Sequence, residues 1–178
     1  MGLEKLEKLE KLKANIELPL FEGNNWSLPT NIDLIEPAKE ALGKKLGEAD
    51  WDEDSDDVYY LQLVFSEALI NAIAHGNLGI VKPDNSQETI TELAKAEQAV
   101  HPTDKKVCVT IGADKNRISI KIRDEGNGFN WREVQDPTLP ESLLKKKGRG
   151  LLFMNKFCDS VTHNNKGNEV TIVKEKKK

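Results

Sequence analysis

Val107, Val109 and Ile111 form one period-two apolar series, and Ile118, Ile120 and Ile122 form another. The turn Ala113-Asp114-Lys115-Asn116 separates them. Alternation of this kind puts each apolar set on one face of a strand, and the intervening polar turn folds the two strands into a hairpin. A hairpin with one apolar face is not stable alone in water, so another layer has to cover it. The covering material is readable upstream. Leu61, Val64, Phe65, Ala68, Leu69, Ala72 and Ile73 give a broad apolar face to a helix running from about Val58 to Leu78. Leu28-Pro29-Thr30-Asn31 opens an earlier helix that extends through about Leu46, with Gly47 as its C-terminal stop.

The remaining segments fill in around this pair of layers. Ile16, Leu18 and Leu20 alternate with polar residues or Pro19 and predict a first, edge strand. Between 82 and 105, Asn85 or Ser86 caps a further helix through Ala99, with Ile90, Leu93, Ala96 and Val100 on one side and Pro102 as its stop. A helix from Gly150 to about Phe157 follows a long polar stretch. Two closing strands, Ser160–His163 and Glu169–Lys174, flank the turn Asn164-Asn165-Lys166-Gly167. Hairpins with helices segregated between them predict an α+β, two-layer α/β sandwich, without the strict β-α alternation of a doubly wound sheet.

The 178 residues suit one compact domain. It is expected over 14–178, after a helical extension at 1–13. The Leu-Glu-Lys repeat of that extension has a three-residue period, which drifts around a helix and leaves an imperfect stripe. A dimerisation or partner element and a frayed end both fit it. No apolar run approaches the roughly 20 residues that span a bilayer, and the charged start does not read as a secretory signal. A cytoplasmic location is therefore expected, with no membrane contact. Cys108 and Cys158, both placed in strands, are expected to be buried and reduced. The net charge of −4 argues against direct nucleic-acid binding. Glu48 to Asp57 is acidic, but Asp50, Asp52 and Asp54 lack the glycine and distal glutamate of a calcium loop. That stretch reads as a solvated loop whose last acids favour the start of the next helix.

Three motifs carry chemistry. Glu67, Asn71 and His75 are spaced i, i+4, i+8 and share one polar helical face. An Asn oxygen is a hard neutral ligand suited to Mg²⁺, and a nearby Glu can take a proton from an attacking hydroxyl. A solvated helix face fits the same spacing, and His75 reads as a structural histidine. Asp124-Glu125-Gly126-Asn127-Gly128 follows a strand ending at Arg123. An Asp there can accept a hydrogen bond from an exocyclic amine, and glycines allow close backbone approach; an ordinary Asx turn is the alternative. Gly148-Arg149-Gly150-Leu151 opens a helix, where exposed N–H groups and the helix dipole favour anions. Lys145, Lys146 and Lys147 precede it as mobile point charges.

In this order and context the three motifs resemble the nucleotide-binding boxes of the GHKL ATPase superfamily. The short form is most similar to the bacterial anti-sigma-factor serine/threonine kinases. The resemblance spans about Ile16 to Lys174. It implies a Bergerat-type ATP-binding fold, with helices on one face of a mixed, mostly antiparallel sheet, and ATP and Mg²⁺ as cofactors. It places the catalytic base at Glu67, the metal ligand at Asn71 and adenine recognition at Asp124. It makes Gly126 and Gly128 close-packing positions and 130–150 the ATP lid, with Lys146, Lys147, Gly148, Arg149, Gly150 and Leu151 at the phosphates. The implied partners are an antagonist protein bearing a serine, a sigma factor or similar regulator, and a second copy in a homodimer. Two departures stand out: the 82–105 insert, and lysines where the kinases often carry an arginine ahead of the first lid glycine. Both leave open a second function, an ATP-gated protein-binding switch with little or no turnover. A histidine-kinase catalytic domain is disfavoured, because none of His75, His101 and His163 sits on a long helical hairpin. No transducer segment marks a gyrase- or MutL-type ATPase.

Overall fold

The computed structural model describes residues 18–83, 85–133 and 149–176. Their elements, in chain order, are β1 (Asn25–Pro29), α1 (Ile35–Glu48), α2 (Asp56–Ile70), α3 (Ile90–Val100), β2 (Lys106–Ala113), β3 (Arg117–Arg123), α4 (Arg149–Phe157), β4 (Ser160–His163) and β5 (Glu169–Glu175). The five strands form one sheet in the order β1-β2-β3-β5-β4. Helices cover one face of it, which gives the expected two-layer α+β sandwich. The N-terminal extension and Lys145, Lys146, Lys147 and Gly148 lie outside the described residues.

The hairpin that dominates the sequence forms in register, with Val109 opposite Ile122 and Ile111 opposite Ile120. Its apolar face is fully buried: Val107, Val109, Ile111, Ile118, Ile120 and Ile122 pack with Ile172 of β5 against Leu42, Leu61, Val64, Phe65, Ala68 and Leu69 of the helices. The opposite face carries Cys108, Thr110, Lys121 and Arg123 to solvent.

Several expectations are corrected. All four strand pairings are antiparallel, so the sheet is not mixed among the described residues. The reason is the position of β5: it returns from β4 by a hairpin and inserts between β4 and β3, so no strand lies beside a parallel neighbour. The edge strand is Asn25–Pro29, where Trp26 and Leu28 point inward; of the segment expected to form it, Ile16 and Glu17 lie outside the described residues. Leu18–Phe21 winds into a 3₁₀ turn instead. Gly47 does not stop α1. The helix runs to Glu48 and ends in a Schellman arrangement, in which Trp51 N–H donates to Leu46 O (3.0 Å) and Asp50 N–H to Gly47 O (3.1 Å). Asp50 takes the left-handed conformation (φ 64°) that glycine usually supplies.

The insert helix begins later than expected. Thr89 is its cap, in a reciprocal capping box with Glu92. Its inward face holds the fully buried Ala94, whereas Val100 is exposed. The polar Gln98 explains the rotation of that face. It accepts from Ile32 N–H (3.1 Å) and donates to Asn31 Oδ1 (3.2 Å), while Lys95 pairs with Asp33 (2.8 Å). These bonds dock α3 on the corner where β1 leads into α1. Neither cysteine is buried in a strand interior. Cys108 is exposed on the open sheet face and Cys158, half-buried, follows α4. Burial pushes the Cys158 thiol up to about 11, so it stays protonated and unreactive near neutral pH.

Candidate functional site

The helix that carries Glu67, Asn71 and His75 is not α-helical throughout. Ser55 caps it, accepting from Val58 N–H, and Asp56 and Asp57 sit favourably in its first turn. α2 ends at Ile70, and Asn71–Asn77 continues as a π-helix. π segments are rare and recur at functional sites. Here the wider turn carries the backbone of Gly76 against the Asp124 carboxyl. A Cβ built on Gly76 would lie 2.6 Å from Asp124 Oδ1 and 2.7 Å from Oδ2. Only glycine leaves room for this approach.

Glu67 occupies the last turn of α2, and Asn71 opens the π segment. Among the described residues, neither side chain makes a hydrogen bond inside the protein. Glu67 keeps contact with solvent, yet desolvation by its neighbours pushes its carboxyl above the ordinary range, a shift partly offset by the nearby His75 imidazole. A carboxylate made more basic is better able to take a proton. His75 has the structural role its sequence context suggests: its Nδ1 lies 2.6 Å from Ile80 O and donates to it, tying down the chain as it leaves the π segment.

Asp124 follows β3 directly and is 9 % exposed. Its Oδ1 accepts from Gly126 N–H (2.8 Å), closing an Asx turn. No donor among the described residues reaches Oδ2. Burial pushes the carboxyl up, a shift that the Gly126 bond, Lys166 and Lys105 offset only in part. A desolvated carboxylate oxygen without a donor is a group that a ligand N–H can satisfy. Gly128 takes a left-handed backbone (φ 76°) and runs against the carbonyl of Lys166, so the strand-end loop lies flat on the β4–β5 turn.

The chain beyond it is pinned to the same turn. Trp131 Nε1 donates to Asn164 O (2.8 Å), Arg132 donates to Asn165 Oδ1 (3.0 Å), and the Trp131 and His163 rings stack with centroids 5.7 Å apart. Burial pushes the His163 imidazole down, favouring its neutral form. The expected lid therefore leaves the sheet from a fixed base. At its other end, Arg149, Gly150 and Leu151 form the first turn of α4. That helix packs on α2 through Phe157 stacked on Tyr60 (3.9 Å between centroids) with Phe153 beside it.

A family model described as the histidine kinase-like ATPase domain matches residues 33–174. The chain belongs to that family. Among curated proteins, no match was found. Membership in the histidine kinase-like ATPase family implies ATP binding, and the match supports the GHKL-type superfamily read from the motifs. Within such a domain Asp124 Oδ2 would be the acceptor available to an exocyclic amine. The described residues fit Mg²⁺ only in company. No group of three or more His, Cys, Asp or Glu among the described residues could hold a metal ion. Asn71 would therefore give one hard oxygen ligand, and phosphates and waters the others, which is the habit of Mg²⁺.

The motifs alone did not reveal Asn77, Thr30, Asn164 and Asn168. Asn168 Nδ2 donates to Asp124 O (2.7 Å) and its carbonyl accepts from Asp124 N–H (3.0 Å); Asn164 Nδ2 in turn donates to Asn168 Oδ1 (2.9 Å). Asn77 and Asn168 are buried. The available signal was Asn77 directly following His75-Gly76, and Asn168, the third Asn of the β4–β5 turn.

Proposed function

We propose that this protein is an ATP-binding serine/threonine protein kinase of the anti-sigma-factor type, which phosphorylates an antagonist protein and sequesters a regulatory partner. One observation carries the reading: a buried Asp124 whose Oδ1 is held by its own turn while Oδ2 is left for an exocyclic amine. Glu67 and Asn71 stand together on the adjoining helix, with the Glu67 carboxyl made more basic by desolvation. In this reading Glu67 accepts the proton of a serine or threonine hydroxyl as that oxygen attacks the terminal phosphorus of ATP, and the bond from that phosphorus to the β-phosphate oxygen breaks, so that ADP leaves. Asn71 helps hold the metal that neutralises the phosphates when bound. Phosphoryl transfer asks mainly for positioning and charge stabilisation, so few groups suffice.

The test is titration calorimetry of Mg·ATP into the wild type and Asp124→Asn, followed by labelled-phosphate transfer to a serine-bearing partner. Binding that Asp124→Asn weakens by roughly tenfold or more supports the site, because an amide presents N–H to N–H in one of its orientations. Equal binding by both proteins would reduce the motif to a turn. Binding without transfer to any partner would favour the non-catalytic switch, which the docked insert helix also suits.

A further inference from the structure

We propose that Asn77 is a positioning residue that aims Asp124 at the purine and so sets the preference for a 6-amino over a 6-oxo base. The inference rests on the adenine reading of Asp124 above. Asn77 ends the π segment and is 5 % exposed. Its side-chain Oδ1 accepts from Glu125 N–H (2.7 Å). Its Nδ2 donates to Thr30 Oγ1 (2.8 Å) and to Lys106 O (3.0 Å). This orientation of the amide is the one that pairs every group, since the two neighbours on the Nδ2 side offer lone pairs and the neighbour on the Oδ1 side offers a hydrogen. Thr30 is itself fixed, its hydroxyl donating to Lys105 O (2.6 Å). One buried amide thus joins the end of β1, the start of β2 and the turn after β3.

The placement matters because the ladder stops short of Asp124. The last β2–β3 pair is Cys108 with Arg123. Beyond it, side chains replace the ladder. Lys106 N–H donates to Glu125 Oε2 (2.6 Å), and the peptide between Asp124 and Glu125 is gripped at both ends. Asn168 holds its carbonyl (2.7 Å) and Asn77 holds its N–H (2.7 Å). That peptide plane fixes where the Asp124 side chain starts, and therefore where Oδ2 points. Removing Asn77 frees one end of the plane and leaves the part-buried Glu125 N–H without its protein partner, which the turn relieves by rotating that peptide toward solvent. Among the described residues, Asn77 shares no hydrogen bond with Glu67 or Asn71.

The experiment compares Mg·ATP with Mg·ITP, which carries a 6-oxo group in place of the amine. Calorimetric titrations use the wild type, Asn77→Ala and Thr30→Val. The wild type should prefer ATP by roughly tenfold or more, as expected when a ligand donor to a carboxylate is exchanged for an acceptor. In Asn77→Ala the preference should shrink to about threefold or less, while ITP affinity changes little, because only the interaction with the 6-position is misaligned. Thr30→Val, which removes one of the two acceptors of Nδ2, should fall between them, and it decides the matter if Asn77→Ala does not fold. An unchanged ATP/ITP ratio in a folded variant overturns the proposal. So does an equal loss of both nucleotides, the mark of a merely structural residue. A wild type that binds ATP and ITP alike refutes the adenine reading itself, and the positioning role with it.

Discussion

Replacing Gly76 by alanine sets two effects of opposite sign against each other. Gly76 does not adopt a positive φ, so alanine fits its backbone. A glycine-to-alanine change within a helix ordinarily stabilises by about 0.5–1 kcal/mol. The new methyl, however, would lie 2.6–2.7 Å from both Asp124 carboxylate oxygens, well inside the roughly 3.5 Å of ordinary contact. Asp124 cannot retreat cheaply. Gly126 N–H holds Oδ1, and Asn168 holds the backbone N–H and carbonyl. Forced overpacking costs about 1–3 kcal/mol, and loss of the charge-assisted bond to Gly126 adds about 1.5–3 kcal/mol if the side chain swings out. The clash should win, leaving Gly76→Ala less stable by up to about 2.5 kcal/mol with the carboxyl in place, and by more if it swings out. For a chain of this size each kcal/mol lowers the melting temperature by roughly 2–4 °C, which calorimetric melting resolves. Gly43→Ala is the control. There the new methyl meets only the flexible end of Gln62, so stability should change by less than ~1 kcal/mol. A Gly76→Ala protein as stable as the wild type, with nucleotide affinity intact, would refute the tight approach of the π segment to Asp124.

Glu67→Ala should leave Mg·ATP affinity within roughly threefold and lower phosphoryl transfer by about 10²-fold or more, the usual weight of a general base; retained transfer in a quench-flow assay would remove Glu67 from the mechanism. The desolvated Asp124 titrates above the ordinary aspartate value of 3.8. Its proton is therefore bound more tightly in the folded than the unfolded state, so between 3.8 and the raised value its contribution to stability falls as pH rises. Nucleotide binding should run the other way: affinity drops on acidification as Oδ2 is protonated, at a higher pH than a solvated aspartate would require, and calorimetry across mildly acidic buffers reads it. Lys174 points inward from β5 with its side chain 7 % exposed, 3.0 Å from Asp57, which is 39 % exposed. Asp57→Asn strands a buried ammonium and should cost about 3 kcal/mol in urea unfolding, whereas Lys174→Met leaves a carboxylate that water can still reach and should cost less than ~1 kcal/mol. The reverse order would show that water reaches Lys174.

The hairpin was legible because period-two alternation over Val107–Ile111 and Ile118–Ile122 admits one register with a buried face. The same alternation also assigns Cys108, lying between Val107 and Val109, to the open face, so the general tendency of cysteine to be buried yields there to local periodicity. β1 was hidden because it offers only Trp26 and Leu28 in five residues ending in proline. The rotation of α3 was hidden because Gln98, a polar residue, makes its docking contacts, and a reading by hydrophobicity turns such a residue outward.

The switch from α- to π-helix at Asn71 has no local signature, since Ala72, Ile73 and Ala74 suit either helix. It follows from partners distant in sequence, 48 residues from Asn77 for Glu125 and 29 for Lys106: Gly76 fits under Asp124, and Asn77 reaches Glu125 and Lys106. This explains why the short motif Glu67-x-x-x-Asn71-x-x-x-His75-Gly76 extends one residue further in its physical meaning. In the proposed function Glu67 and Asn71 would face the reacting groups, while His75 and Gly76 fix and fit the departing chain and Asn77 links the helix to the strand-end turn. If that division holds, Gly76 and Asn77 variants should perturb recognition of the base, Glu67 variants the transfer of phosphate, and the two classes should add independently, since they share no hydrogen bond among the described residues. A strongly non-additive Glu67→Ala/Asn77→Ala pair in ATP affinity would instead mean that the π segment moves as one body when nucleotide binds.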